Sequence, residues 1–134
     1  MHCLDTPTFQ LKSISLSCCG DGGSFPHSLN HQHDLEHVDL SNINFKGYQF
    51  PNWLLENNKK LKELHLANSS LSRHFQLPPT SHRGLLYLDV SNNSLDGNIP
   101  NEIGAKLPSL KLLNMSIKFF GSGIPISIGG MIFL

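Results

Sequence analysis

Apolar side chains return along this chain in a fixed six-residue figure, L-x-x-L-x-L, separated by longer stretches of mixed polarity. Leu11-Ile14-Leu16, Leu35-Val38-Leu40, Leu61-Leu64-Leu66, Leu85-Leu88-Val90 and Leu110-Leu113-Met115 all fit it. Their first residues lie 24, 26, 24 and 25 positions apart. Alternation through the fourth to sixth positions suits a short strand with one buried face. One such strand per unit, at a spacing within the range of solenoid repeats, predicts parallel strands stacked about 4.8 Å apart.

Numbering each unit from its first Leu brings out further columns. Position 11 is apolar in Phe45, Leu71, Leu95 and Phe120. An apolar-Pro step follows as Ile99-Pro100, Ile124-Pro125 and Phe25-Pro26, one residue late at Phe50-Pro51 and two late at Leu77-Pro78. Proline fixes φ and cannot donate to a ladder, so these steps redirect the chain. Three residues past the Pro, Leu29, Leu54, Ile103 and Ile128 return an apolar side chain. Residues 52–56, Asn-Trp-Leu-Leu-Glu, are expected to form a short helical turn, with Trp53 packing against the core or the outer side. Asn at position 9 uses its amide to satisfy backbone groups where the chain leaves the strand. Asn93 meets this need, and Cys19 is an accepted substitute. Ile43, Ser69 and Lys118 depart from it.

The run from Leu85 to Pro100, Leu-x-x-Leu-Asp-Val-Ser-Asn-Asn-Ser-Leu-Asp-Gly-Asn-Ile-Pro, resembles the plant-type leucine-rich repeat L-x-x-L-D-L-S-x-N-x-L-x-G-x-I-P. The resemblance covers about residues 11–134. Phe50-Pro51-Asn52-Trp53-Leu54-Leu55-Glu56-Asn57-Asn58, followed by Leu61-Lys62-Glu63-Leu64, is similar more narrowly to ectodomains of plant receptor-like proteins. The resemblance implies an α/β repeat solenoid with short parallel strands on the concave face, and loops and short helical turns on the convex face. It further implies a non-catalytic recognition module of a cell-surface receptor in defence or developmental signalling, on the extracellular side of the plasma membrane. Its partners would be a protein, peptide or glycan ligand and a co-receptor kinase. Two alternatives share the repeat: a secreted protein like the polygalacturonase inhibitors, and a non-functional truncated receptor fragment.

Charge and the chain ends narrow these expectations. Ten Lys+Arg balance ten Asp+Glu, so no positive field draws in nucleic acid or anionic lipid. The most apolar stretch, residues 123–134, is broken by Pro125 and Gly129-Gly130 and is too short to span a membrane. The first seven residues lack the basic and apolar regions of a signal peptide. Residues 1–10 read as a flank and 11–134 as the repeat region. Leu134 stands 24 residues after Leu110, where a sixth unit is expected to start. With neither cap nor anchor, the chain reads as an interior stretch of a longer solenoid. Cys3, Cys18 and Cys19 fit no zinc spacing and leave the redox compartment undecided.

Positions 2, 3, 5, 7 and 8 are expected to face outward, so columns across units become strips of surface. Position 5 reads Ser15, Asp39, His65, Asp89, Asn114, and position 3 reads Ser13, His37, Glu63, Tyr87, Leu112. His65 is expected about 5 Å from both Asp39 and Asp89, whose charges would favour its imidazolium form. That arrangement reads either as a pH-sensitive ligand contact or as the repeat's own Asp column with one His substituted. His37, Asp39, Glu63, His65, Tyr87 and Asp89 are the candidate ligand contacts, Tyr87 as the aromatic anchor. Position 7 (Ser17, Ser41, Ala67, Ser91, Ser116) forms a lane of small residues. N-x-S sequons fall at Asn68, Asn92 and Asn114. His31, His33 and His37 have no spacing that fixes a metal, and no nucleophile elbow, P-loop or dinucleotide fingerprint occurs. No catalytic residue, cofactor or metal is therefore expected.

Overall fold

A computed structural model describes residues 10–16, 27–45, 49–74, 76–96, 102–115 and 132–133. In chain order these contain β1 (Ser13–Ser15), a 3-10 turn (His27–His31), β2 (His37–Asp39), α1 (Asn52–Asn57) and β3 (Glu63–His65). Then come β4 (Ser72–His74), β5 (Tyr87–Asp89), β6 (Ser94–Asp96), α2 (Ile103–Lys106), β7 (Leu112–Asn114) and β8 (Ile132–Phe133).

One parallel sheet runs in the order β1-β2-β3-β5-β7-β8. Its register follows the leucine spacing: Ile14, Val38, Leu64, Leu88 and Leu113 are successive partners. β1, β2, β3, β5 and β7 each span positions 3 to 5 of their unit. The middle residue is buried in β2, β3, β5 and β7, while its two neighbours are exposed or half-buried. Alternation thus splits the sheet into an apolar underside and an open face.

Beneath the sheet lie the side chains that the periodicity singles out. Leu35, Leu40, Leu61, Leu66, Leu85, Val90, Leu110 and Met115 flank the mid-strand residues in one buried cluster. Phe45 and Leu71 at position 11, with Leu29, Leu54 and Ile103 past the Pro steps, complete it. Each such burial stabilises by about 1.5–3 kcal/mol. The expected helical turn is α1, with Leu54 and Leu55 buried and Trp53 packed against the core. The steps at residues 25–26, 99–100 and 124–125, Ile128, Phe120 and all three cysteines lie outside the described residues, as does the side chain of Leu95.

Two elements differ from the sequence expectation. Segments expected as loop pair as a second, two-stranded parallel sheet, β4 with β6. It joins Ser72, the twelfth residue of its unit, to Ser94, the tenth of the next. The same two-residue offset displaces Leu77-Pro78 in that third unit. At the other end, β8 pairs Ile132 with Leu112 and Phe133 with Leu113, so strand residues lie where the spacing places the approach to Leu134. Backbone pairing needs only extended residues, so it can precede the leucine spacing at that edge.

Buried polar side chains tie successive turns of the solenoid together. The Asn93 Nδ2 group donates to Leu66 O, Val90 O and Ser91 O, and its Oδ1 accepts from Ser69 N and Leu71 N. Ser69, where the pattern asked for Asn, does part of this work: its Oγ donates to Leu40 O at 2.8 Å. Ile43 at the same position is simply buried. A second column, not anticipated from the sequence, stands three residues before the first Leu of the second, third and fourth units. There Gln32 Oε1 accepts from Leu11 N, and Asn58 Oδ1 accepts from Leu35 N. His82 continues the column: its Nδ1 accepts from Leu85 N, leaving Nε2–H to donate to Asn58 O at 2.9 Å. Beside it, Gly84 is needed for close approach, because a Cβ there would meet Lys59 O at 2.9 Å.

Two outcomes follow for stability. Asn93→Ala strands several buried backbone groups and should cost about 3 kcal/mol in urea unfolding; a loss below about 1 kcal/mol would contradict this role. Burial holds the His82 pKa below its ordinary 6.5, the Lys59 charge adds to the lowering, and the bond to Asn58 partly opposes it. The unfolded chain therefore binds the proton more readily than the folded one. Stability should be full above about pH 6.5 and fall as pH drops from there toward the folded-state value. His82→Gln, compared by urea midpoint at about pH 7.5 and pH 5, should lose less on acidification than the parent. An equal loss in both would assign the effect to other groups.

Candidate functional site

The open face carries the side chains at positions 3 and 5, held by rigid strands a single residue either side of a buried leucine or valine. At position 5, Asp39 and Asp89 turn toward their own backbone. Asp39 Oδ1 accepts from Ser41 N at 3.0 Å, and Asp89 Oδ1 accepts from Ser91 N at 3.0 Å and Ser91 Oγ at 2.7 Å. These are Asx turns that steer the chain off the strand. The aspartates of this column thus have a structural task beside any ligand contact.

His65 stands in register between Asp39 and Asp89, as the spacing requires. Its ring nitrogen bonds elsewhere. His65 Nε2 lies 3.1 Å from Glu63 Oε1, within the same strand. The other carboxylate oxygen, Glu63 Oε2, lies 3.3 Å from His37 Nδ1 on the neighbouring strand. The carboxylate that engages His65 is therefore Glu63, not the flanking aspartates, whose oxygens are drawn toward the Ser41 and Ser91 turns. Residues i and i+2 share a strand face, and this relation was legible in the sequence once positions 3 and 5 were placed together.

Glu63 and His65 form a ridge between two shallow depressions. One, of about 360 Å³, is lined by β1 and β2 with Ser13, Ser15, His37 and Asp39. The other, of about 340 Å³, is lined by Tyr87, Asp89 and Asn114 over Leu88 and Leu112. Tyr87, 38% exposed, is the exposed large hydrophobic side chain among the described residues. The six candidate contacts thus lie on one continuous face, and Leu112 and Asn114 join them in the second depression.

Asn68 and Asn92 occupy position 8, at the turn off β3 and β5, and both are exposed. Their φ values are 54° and 56°, and Asn42 at the same position has 64°. Asparagine tolerates this left-handed region better than most residues, which gives the position-8 asparagines a backbone reason that the repeat pattern alone did not reveal. Asn114, by contrast, is half-buried within β7. Among the described residues no group of three His, Cys, Asp or Glu is placed to hold a metal, and no helix is long and apolar enough to cross a membrane.

Comparison with known proteins agrees with this geometry. The profile of the Leucine Rich Repeat family matches residues 84–105, the fourth unit. Receptor-like protein 15 of Arabidopsis thaliana is 46% identical over 125 residues, which cover 93% of this chain and 12% of that protein. Receptor-like protein 1 of the same plant is 42% identical over 93% of this chain and 11% of its own length. Cuscuta receptor 1 of Solanum lycopersicum is 36% identical over 81% of this chain and 10% of its own length. The chain thus spans roughly a tenth of the length of these relatives. No solved structure gives a significant match. With five units in register, a parallel sheet built from them and these relatives, the chain is a leucine-rich repeat solenoid similar to a stretch of the plant receptor-like proteins.

Proposed function

We propose that this chain is a non-catalytic recognition module, whose open face binds a protein or peptide ligand at the extracellular side of the plasma membrane. The observation that carries the reading is the face itself. Tyr87 stands exposed beside the Glu63–His65 ridge, with a depression on either side. An exposed aromatic on a rigid strand loses little freedom on binding and supplies a large contact area. Charged groups around it set orientation and partner choice more than raw affinity. The lane of small residues, Ser41, Ala67 and Ser91, leaves room for an extended chain to lie across the strands. Glycan ligands and a co-receptor kinase fit the same scheme, the latter as a second partner that joins once the ligand is seated. The receptor-like relatives support this assignment by kinship, and the site residues stand on the geometry alone.

The test is selection of peptide binders. The chain, displayed on yeast, is panned against a random-peptide phage library, and the selected peptides are measured against variants. Tyr87→Ala and Glu63→Ala should each weaken binding about tenfold or more, as central anchors do. Glu56→Ala, on the outer helix α1, should change it less than about twofold. Peptides that are indifferent to Tyr87 and Glu63, or failure to select any, would overturn this assignment of the face.

A further inference from the structure

We propose that the open face takes a polyproline II segment carrying a basic side chain three residues from an apolar one. The proposal rests on the recognition reading of this face and names the chemistry of its ligand.

Charge decides the first half. Among the described residues, positions 3, 5, 7 and 8 hold three carboxylates, Asp39, Glu63 and Asp89, and no Lys or Arg. The three are not equally available. Glu63 is engaged on both oxygens, by His37 and His65. Asp89 is half-buried, and its Oδ1 holds Ser91 by two bonds. Asp39 is exposed and uses Oδ1 for Ser41 N, while its Oδ2 has no hydrogen-bond partner among the described residues. Lys12, Lys62 and Lys111 stand at position 2 and line neither depression, and Lys62 is paired with Glu36 at 3.8 Å. A cation on the ligand therefore meets Asp39, in the depression it shares with Ser13, Ser15 and His37. The other depression sets Tyr87 beside Leu112 on the neighbouring strand, over buried Leu88. An apolar side chain placed there leaves water for apolar surface.

Spacing decides the second half. The first depression is centred on β2, between β1 and β3, and the second on β5, between β3 and β7. β2 and β5 lie two steps apart in the sheet, about 9.6 Å at about 4.8 Å per step. A polyproline II chain has three residues per turn and rises about 3.1 Å per residue. Its side chains i and i+3 thus point the same way about 9.3 Å apart. A ligand in β conformation offers same-face side chains about 6.7 Å or 13 Å apart, and neither matches. The two residues between i and i+3 point away from the sheet. The backbone can then cross the Glu63–His65 ridge without pressing a third side chain onto it.

The experiment displays the whole chain on yeast and titrates it at about pH 7.5 with biotinylated peptides held as tetramers on streptavidin. Peptides centred on Arg-Pro-Pro-Leu and on Leu-Pro-Pro-Arg cover both chain directions, which the spacing leaves open. One of them should bind about tenfold tighter or more than its counterpart with Glu in place of Arg. It should exceed by a similar factor the versions with one or three prolines between the two side chains. Raising salt from about 50 mM to about 500 mM should narrow the gap between the Arg and Glu peptides. Asp39→Asn removes the charge and keeps the Oδ1 acceptor that Ser41 N needs. Ser15→Lys sets a competing cation at the register partner of Asp39. Each should weaken the Arg peptide about threefold or more, and more than it weakens the peptide with Ala in place of Arg. Equal binding of the Arg and Glu peptides, equal binding at all three spacings, or no binding by any designed peptide overturns the proposal. So does indifference of the Arg peptide to both Asp39→Asn and Ser15→Lys. Sequences of the library-selected peptides separate the two readings. Binders that depend on Tyr87 and Glu63 but lack a basic residue three places from an apolar one would keep the face as a binding site and contradict this ligand alone.

Discussion

The constraint on which this structure depends is the satisfaction of backbone groups that turn inward between units. A strand of three residues makes few ladder bonds, and each unit then bends away beneath the sheet. Left alone, amides such as those of Leu35, Ser69 and Leu71 would be buried without acceptors, at a cost of about 1–3 kcal/mol each. The side chains of Asn58 and Asn93 meet them from the next turn of the solenoid. Because each bond joins successive turns of the solenoid, it fixes register as well as closing a polar vacancy. The leucines supply most of the burial energy, yet apolar contact alone is non-directional and would tolerate slippage. Directional bonds select the one stacking in which every strand faces its partner.

From that rigidity the candidate site follows. Burying position 4 forces positions 3 and 5 onto the open face, and repeating the unit places those positions in columns. Glu63 can reach His37 on one strand and His65 on its own because stacking and alternation bring all three side chains to one patch. The Asp column divides its work, with Asp39 and Asp89 pinning the turn at Ser41 and Ser91. Tyr87, with Leu112 beside it in the same column, gives the face a local apolar feature.

Much of this was legible in the sequence, and the reasons for the rest are specific. The sheet register could be read because leucine spacing and strand pairing obey the same burial. Helix α1 could be read because Pro51 redirects the chain just before an apolar pair. The β4–β6 pairing could not, because its residues carry no alternating pattern distinct from a loop. The column of Gln32, Asn58 and His82 carries no motif, because three different residue types do one task. Asn at position 8 was visible only as part of a sequon, whereas its left-handed backbone is a demand of the turn. At the site, the column neighbours of His65 follow from the strand register, whereas its contact with Glu63, two residues away on the same face, depends on side-chain rotamers that the column pattern does not carry.

Native-state amide hydrogen exchange tests most directly whether side-chain bonds between successive turns hold the solenoid together. If they do, the amides of Leu35, Ser69 and Leu71, which donate only to side-chain oxygens of Asn58 and Asn93, should open no more readily than the strand-ladder amides of Leu40 and Leu66. They would then exchange together with those ladder amides, through the same cooperative opening. Exchange of Leu35, Ser69 and Leu71 as fast as that of exposed Lys60, with Leu40 and Leu66 still protected, would contradict the account. The leucine core would then hold the register without them.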